Sequence, residues 1–234
     1  MISLFPPLTE IRGSLGKERM NRVSLKQQAY DKIKNLILEN QISHDRQITE
    51  LELNKTLQVG RAPIREALNL LSKDGLVQLV PNKGAFLRRF SPHDLVQIYR
   101  IREALDPLAA RQAIERIDLK ELERIERKYA PREIADWESG RQFSKELHSF
   151  IYRSSGNPFL LAVFEDLQLK NEVSWNSLWS LWKRTPQTRA IEKRRKEHLA
   201  IIHSLKKRDA QKAEASSREH ISNALQDLLR MISA

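Results

Sequence analysis

The sequence contains no cysteine among its 234 residues. Disulfide bonds and thiolate metal sites are therefore excluded, and the lack of thiols fits a protein of a reducing cytoplasm. Glycine is also scarce, at seven residues, and the chain has no glycine-rich phosphate loop, no H-E-x-x-H motif and no serine or cysteine nucleophile motif. We therefore expect a protein that is not an enzyme, although its histidines leave a metal-dependent enzyme as a competing class.

Long apolar runs are missing as well. The hydrophobic fraction of 40% is enough for a packed core, but no stretch is long enough for a signal peptide or a membrane span. A length of 234 residues is compatible with one large domain or with two of ordinary size. The sequence thus predicts a globular protein without a membrane partner.

Acidic residues are outnumbered, because 41 Lys and Arg stand against 30 Asp and Glu, which gives a formal net charge of +11. The excess per residue is larger in residues 1–90 than in residues 91–234. A basic chain favours polyanions such as DNA or anionic membranes. Residues 1–22 are predicted to form a flexible basic arm that either reaches DNA or is merely solvated. The basic side chains of this arm are Arg12, Lys17, Arg19 and Arg22.

Residues 23–90 carry the signals of three helices. The first two helices follow S-x-x-Q and T-x-x-E capping boxes that begin at Ser24 and Thr49. A third helix is predicted from about Arg61 to Asp74, and the glycine that comes next is placed to close it in the left-handed conformation. Four side chains of this helix face away from its apolar side. They are Arg61, Ala62, Arg65 and Asn69.

Two short apolar runs, residues 76–80 and 85–90, surround the turn-forming sequence P-N-K-G. This pattern predicts a β-hairpin, or wing, with Lys83 and Gly84 in its turn. A helix pair followed by a wing can present basic side chains to a groove of DNA. We therefore predict a winged helix-turn-helix over residues 23–90.

The rest of the chain, residues 91–234, shows no strand signal. Ser91 and Pro92 supply a cap and a first-turn proline for a long helix, which Pro107 is expected to bend. Helical periodicity then returns in several further segments. These are residues 119–129, 143–152, 159–169, 173–182, 191–205 and 210–231. The predicted fold class is thus mainly α, with an all-α bundle of about six helices after the winged module.

Three histidines with apolar helical neighbours lie on three different predicted helices. They are His148, His198 and His220. Three imidazoles that converge inside a bundle would suit a divalent metal such as zinc, nickel or manganese. The alternative is that each imidazole is hydrogen-bonded at the edge of the core.

Arg102 and Asp106 are one helical turn apart. If Arg102 points into the bundle, its guanidinium can hold an organic carboxylate bidentately. The alternative is a surface salt bridge worth at most about 1 kcal/mol. Trp175, Trp179 and Trp182 form a stripe at spacings of four and three residues, which favours a core or dimer-interface role over a ligand cage.

The run V-G-R-A-P-I-R-E-A-L at residues 59–68 resembles the V-S-R-T-P-V-R-E-A-L-like reading helix of the GntR family of bacterial transcription regulators. A G-L-V and an N-K-G wing follow it, as in that family. The resemblance implies that this helix enters the major groove, with Arg61 and Arg65 bonded to guanine edges or flanking phosphates. Gly60 and Ala62 stand where the family usually has Ser and Thr, so two hydroxyls that could touch phosphates are missing.

The C-terminal part resembles the FCD effector domain of the FadR-like branch of that family. The resemblance is carried by residues 143–148, by the S-S-G-N at residues 154–157, by the E-H that ends at His198 and by the final His220. In many relatives an aspartate four residues before the first histidine completes an Asp-His-His-His metal site. This chain has Ser144 at that position, and a hydroxyl is a poor metal ligand compared with a carboxylate.

These features predict a dimeric, ligand-responsive DNA-binding regulator of the bacterial cytoplasm, associated with the nucleoid. Most relatives of this kind are repressors that a small organic carboxylate releases, and here it would bind in residues 91–234 against Arg102, Asp106 and Ser144. Dimerisation through the bundle would let two copies of residues 23–90 read an inverted-repeat operator in double-stranded DNA. The alternative function is a constitutive architectural DNA-binding protein whose C-terminal bundle only dimerises.

Overall fold

The structure is a computed structural model that describes residues 24–44, 46–129, 137–182 and 188–233. The predicted arm, residues 1–22, lies outside the described residues. Within these ranges the chain forms nine helices and three short strands, which confirms the mainly α fold class. The elements are α1 (Leu25–Leu38), β1 (Gln47–Ile48), α2 (Glu50–Leu57), α3 (Arg61–Lys73), β2 (Val77–Val80), β3 (Gly84–Leu87), α4 (Pro92–Ala113), α5 (Leu119–Tyr129), α6 (Trp137–Ser154), α7 (Pro158–Trp182), α8 (Thr188–Lys206) and α9 (Ala210–Ile232).

The first three helices begin and end where local chemistry dictates. The hydroxyl of Ser24 accepts a hydrogen bond from the backbone N–H of the third residue after it at 3.2 Å, and Thr49 does the same for α2. Gln58 ends α2 with a φ of +52°, and Gly75 follows α3 with a φ of +72°. These caps therefore fix ends of α1, α2 and α3.

The hairpin of β2 and β3 acquires a third strand that the sequence pattern did not indicate. β1 pairs antiparallel with β3, so that the strand order is β1-β3-β2, with Gln47 opposite Phe86 and Ile48 opposite Ala85. A strand of two residues is too short to show alternation of apolar and polar side chains. It is held by its neighbours, because Ile48 is buried in the same core as the inner face of α3.

The six C-terminal helices form the predicted bundle around α4, which packs along α9, α6 and α7. Ser91 and Asp94 form a complete capping box at the start of α4, with hydrogen bonds of 3.1 and 2.8 Å. The helix continues through Pro107, which is buried. None of the described helices combines the length and the apolar composition needed to cross a bilayer.

Residues 159–169 and 173–182, predicted as two helices, belong to the single helix α7. The polar residues between them interrupt the apolar periodicity without ending the helix, and two of them, Asn171 and Glu172, line a cavity. The polar interruption of the apolar pattern therefore corresponds to residues that line a cavity and not to a turn between two helices.

Helix α7 also joins the two halves of the molecule. Its Val173 is buried in the core of the winged module, and Leu169 packs against that core. The side-chain amide of Asn176 donates a 2.8 Å hydrogen bond to the backbone carbonyl of Leu38, the last residue of α1. Helix α7 of the bundle thus packs directly against the winged module.

Candidate functional site

A concave surface lies between α3 and the sheet of the winged module, and we call it the reading surface. Helix α3 contributes Arg61, Arg65 and Asn69, and the wing contributes Gly84. All four are exposed, as are Ala62 and Lys83, which lie outside this concavity. The predicted DNA-contacting residues therefore share one exposed face, and four of the six line the same groove.

Two residues of the reading surface were not foreseen. Glu50, the first residue of α2, forms a bidentate ion pair with Arg65 at 2.6 and 2.9 Å. Gln47 lies against Gly84, whose φ of +91° is a backbone conformation that favours glycine. The T-x-x-E box indicated Glu50 only as part of a helix start, so its contact with α3 had no local signal.

The three histidines meet inside the bundle, each brought by a different helix: His148 by α6, His198 by α8 and His220 by α9. All three residues are buried and at most 4% exposed. One ligand nitrogen from each lies within 4.8 Å of the other two, and Nε2 of His148 is 3.4 Å from Nε2 of His220. We call this group the histidine cluster, and it is the arrangement that the metal prediction requires.

Two of the imidazoles contact a carboxylate through Nδ1. Nδ1 of His148 is 3.2 Å from Asp106, and Nδ1 of His220 is 2.9 Å from Glu197. A carboxylate that accepts a hydrogen bond from Nδ1–H leaves Nε2 unprotonated and available as a ligand. Nε2 of His198 is buried and has no hydrogen-bond partner among the residues that the structure describes. A metal ion would satisfy this nitrogen, so the donor set fits a divalent metal.

Asp106 is fully engaged by protein groups. Its oxygens accept hydrogen bonds from Nε and Nη2 of Arg102 at 3.3 and 2.7 Å and from the hydroxyl of Tyr152 at 2.6 Å. Burial alone would raise the pKa of Asp106, but the charge of Arg102 and the contact with His148 outweigh it and hold that pKa below its usual range. The Arg102–Asp106 pair is buried, so it is not the surface salt bridge considered as an alternative.

Burial lowers the pKa of each histidine in the cluster below 6.5, and it does so most for His198 and His220, where the other imidazoles and nearby arginines add to the effect. Neutral imidazole is the form that binds metal. The environment therefore keeps all three side chains in the ligand state at neutral pH.

A cavity of about 480 Å³ opens beside the histidine cluster. Arg102, Ser144, His198 and His220 line one wall. Helix α7 and the C-terminal end of α1 also contribute to the lining. The residues of those two parts are Gln168, Asn171, Glu172 and Trp175 on α7 and Leu38 and Glu39 at the end of α1. Asp106 does not line the cavity, so only two of the three predicted effector contacts, Arg102 and Ser144, reach it.

The cavity wall carries more cationic than acidic side chains. The six cationic residues are Arg102, Arg141, Lys145, Arg194, Arg195 and Arg230, and the four acidic ones are Glu39, Glu138, Glu172 and Asp227. Arg102 uses Nε and Nη2 for Asp106, and its Nη1 makes no hydrogen bond to any described residue. This arrangement suits a small anion of the size of an organic acid.

Comparison with known proteins decides the family. The model of the FCD domain matches residues 97–223, and the model of bacterial regulatory proteins of the gntR family matches residues 25–87. The chain belongs to the GntR family and carries an FCD domain. The family is a class of DNA-binding regulators, so membership confirms the expectation that this GntR protein is not an enzyme.

Individual GntR proteins are similar over different lengths. A helix-turn-helix-type transcriptional regulator from the TAR-I ttuE-ttuC' intergenic region of Agrobacterium vitis is 38% identical over 104 residues, which is 44% of this chain and 58% of that protein. The chain therefore matches little more than half the length of this relative. The helix-turn-helix-type transcriptional repressor RspR of Escherichia coli strain K12 is 25% identical over 203 residues, which covers 83% of this chain and 85% of RspR.

Among solved structures, E. coli McbR/YncC has a TM-score of 0.72 with 21% sequence identity. The similarity covers 90% of this chain and all of that one. At this level of identity the likeness shows that the two chains share a fold, and no more.

Proposed function

We propose that this GntR protein is a ligand-responsive transcription regulator that binds double-stranded DNA as a homodimer. Residues 23–90 would act as the DNA-binding domain, residues 91–234 as the effector-binding and dimerisation domain, and residues 1–22 as a basic arm. One observation carries the proposal: the cavity beside the histidine cluster is also lined by Leu38 and Glu39. A ligand in the effector domain would therefore touch the first helix of the DNA-binding domain.

In this proposal α3 lies in the major groove. Arg61, Arg65 and Asn69 would face base edges and phosphates, with Ala62 close to the backbone, while Lys83 and Gly84 bring the wing to the minor groove or to phosphates. The exposure of all six residues supports this arrangement. One reading helix covers only a few base pairs, so two copies on an inverted repeat are required for useful specificity.

Dimerisation would use the outer surface of the bundle. Large apolar side chains are exposed on α4 and α7, two helices that pack against each other. They are Ile101 and Leu108 on α4 and Phe159 and Val163 on α7, and Phe159 is 83% exposed. Apolar side chains exposed on adjacent helices favour association with a second copy through a two-fold interface.

His148, His198 and His220 would hold a divalent metal, which we propose to be zinc, nickel or manganese. Asp106 and Glu197 would orient two of these ligands and would not bind the metal themselves. A bound metal supplies a Lewis acid that attracts the oxygen of a carboxylate. Ser144, which lies on α6 one turn before His148 and lines the cavity, leaves space where relatives have an aspartate.

The effector would be a small organic carboxylate. Nη1 of Arg102 is free of Asp106 and belongs to a buried side chain in the cavity wall, so it can donate to a carboxylate without giving up its ion pair. Ser144 would add a hydroxyl to the same end of the ligand.

The response to the effector would travel through α1 and α7. A carboxylate in the cavity repels Glu39 and competes with the packing of Leu38, and Leu38 is also the acceptor for Asn176. A ligand shifts an equilibrium only through its differential affinity for two states, and these contacts would provide that difference between two poses of the DNA-binding domain. RspR is named a repressor, and we propose that this protein is likewise a repressor released by its effector, on the nucleoid of a bacterial cytoplasm.

A thermal-shift panel of organic acids tests the proposal. We expect at least one small carboxylate to raise the melting temperature by mass action and to weaken binding to a genomic DNA fragment selected by the protein. R102K, which keeps the charge but loses the guanidinium fork, should lose most of that shift. If no acid stabilises the protein while it still selects DNA, the bundle only dimerises and the protein is an architectural DNA binder.

A further inference from the structure

The two outward arginines of α3 stand in different electrostatic surroundings. Arg65 is held by both oxygens of Glu50. Arg61, one turn earlier, forms no ion pair with any residue that the structure describes. The side chain of Arg65 is nonetheless 68% exposed, so the pair restrains the guanidinium without removing it from the reading surface.

The ion pair occupies one side of the guanidinium. Glu50 takes the N–H of Nε and one N–H of Nη2, which are two of the five donors that an arginine carries. The end that contains Nη1 and the second N–H of Nη2 stays available. Two parallel N–H groups at that end match the O6 and N7 acceptors of guanine in the major groove.

The charge of the pair also separates the roles of the two arginines. Glu50 cancels the charge of Arg65, and a neutral pair attracts phosphates only weakly. Arg61 forms no ion pair with any described residue, although the charge of Glu50 also acts on it at longer range, so Arg61 keeps more of its attraction for the DNA backbone than Arg65 does. Arg61 therefore suits sequence-independent affinity, and Arg65 suits base recognition.

Glu50 is itself held in place by the chain. It is the first residue of α2, directly after the N-cap Thr49, where the helix dipole favours a negative charge. The hydrogen bonds from Arg65 lower the pKa of Glu50 below its ordinary value, so this carboxylate is charged at neutral pH. The partner of Arg65 thus has a fixed backbone and a constant charge.

We propose that Glu50 is a positioning residue for sequence recognition, which orients Arg65 so that its Nη1–Nη2 end reads a guanine in each half-site. The inference rests on the proposed DNA-binding function and adds a division of labour between Arg61 and Arg65. An arginine that is oriented before binding loses less side-chain entropy when it meets the base.

Selection from a randomised DNA duplex library tests the inference, with the full-length protein, E50Q and E52Q compared in parallel. Glu52 is a matched control, because it lies on the same turn of α2, is exposed and pairs with Arg46, away from α3. Glutamine at Glu52 can still accept the hydrogen bond that the Thr49 hydroxyl donates to this side chain. Both variants remove one negative charge, so a difference between them reports on Arg65 and not on net charge.

The expected result is a motif with one guanine per half-site that the unmodified protein and E52Q both prefer. E50Q should lose roughly tenfold to a hundredfold of that preference while its affinity for random-sequence duplex stays the same or rises. R65A should lose the same preference, and the E50Q/R65A double variant should lose no more than R65A alone, because the two residues act as one unit.

Selection by E50Q of the same motif with undiminished preference for the guanine would overturn the inference, as would an equal loss of preference in E52Q. If E50Q does not fold, E50D serves in its place, because it keeps the charge and shortens the reach to Arg65. Failure of the unmodified protein to select any motif would instead refute the proposed function.

Discussion

Two arginine–carboxylate pairs, one on the reading surface and one in the bundle, have the same chemistry and different consequences. The side chains of Arg65 and Glu50 are 68% and 28% exposed, whereas those of Arg102 and Asp106 are 5% and 1% exposed. Water screens the first pair, so its contribution to stability is small and its value lies in orientation. The second pair is almost fully buried, so the loss of either partner would leave a buried charge without its counter-charge.

The same contrast explains how each pair contributes to a site. Arg65 can contact a base edge with its Nη1–Nη2 end while Glu50 holds Nε and the other side of Nη2. Arg102 cannot leave Asp106, and Asp106 in turn touches His148. The buried pair therefore connects the proposed effector contact and the histidine cluster in one rigid network.

The largest expected effect comes from breaking the buried pair. D106N should lower the free energy of unfolding by roughly 3–5 kcal/mol, because it leaves the Arg102 cation buried without a counter-charge. Urea denaturation measures this loss. D166N is the control, since Asp166 and Lys170 form a pair of the same spacing at the surface of α7, and it should cost no more than about 0.5 kcal/mol. Equal losses in the two variants would contradict the contrast.

Breaking the reading surface should leave the fold intact and remove DNA binding. R61A/R65A deletes the two outward arginines of α3, both exposed, so we expect no mobility shift of a selected operator fragment at concentrations that saturate the unmodified protein. The melting curve by circular dichroism should be unchanged. Retained operator affinity in the double variant would refute the assignment of α3 as the reading helix.

Removing the histidine cluster tests the metal. H148A/H198A/H220A should lower the metal content of protein purified without chelator, measured by elemental analysis, because all three proposed ligands are gone. The single variant S144D offers the opposite change and should increase metal retention by adding a carboxylate one turn from His148. Absence of metal from the unmodified protein would favour direct binding of the effector by the imidazoles.

A smaller effect is expected from pH. Burial lowers the pKa of the cluster histidines in the folded state. Just below pH 6.5 these histidines therefore stay neutral in the folded protein, whereas the histidines of the unfolded chain take up protons. The free energy of unfolding of metal-free protein should therefore be highest above about pH 6.5 and fall as the pH drops from that value towards the lower folded-state pKa values. Urea midpoints at pH 7.5 and 5.5 measure the slope.

H198Q sharpens this test, because glutamine does not titrate in this range. Its slope between the two pH values should be shallower than that of the unmodified protein. A midpoint that does not change between pH 7.5 and 5.5 would show that the imidazoles gain solvent or partners in solution.

Much of the fold was predictable from short patterns. Capping residues such as Ser24, Thr49 and Ser91 act within one turn, and the apolar spacing of α3 acts within four residues, so these elements have local causes. The sequence pattern likewise predicted that the three histidines lie on three different helices. Pattern reasoning divided α7 in two, because it interprets a polar interruption as a break and has no knowledge of a cavity beside the helix.

The partners of the site residues were not predictable. Glu50 lies 15 residues from Arg65, Asp106 lies far along the chain from His148, and Glu197 pairs with His220 on the next helix. Each contact depends on the angle and distance at which two elements cross. The spacing of Arg102 and Asp106 indicated a pair, but only packing determined that it is buried.

The amino-acid sequence by itself determined which segments are helical, where the basic reading helix lies and which residue types can bind metal or anions, because backbone hydrogen bonds and side-chain periodicity are local. The tertiary structure alone decided that three imidazoles share one centre and that carboxylates orient two of them. It also decided that the cavity reaches Leu38 and Glu39. These properties arise from long-range packing, in which the burial of apolar faces brings distant polar side chains together and removes the water that would otherwise separate them.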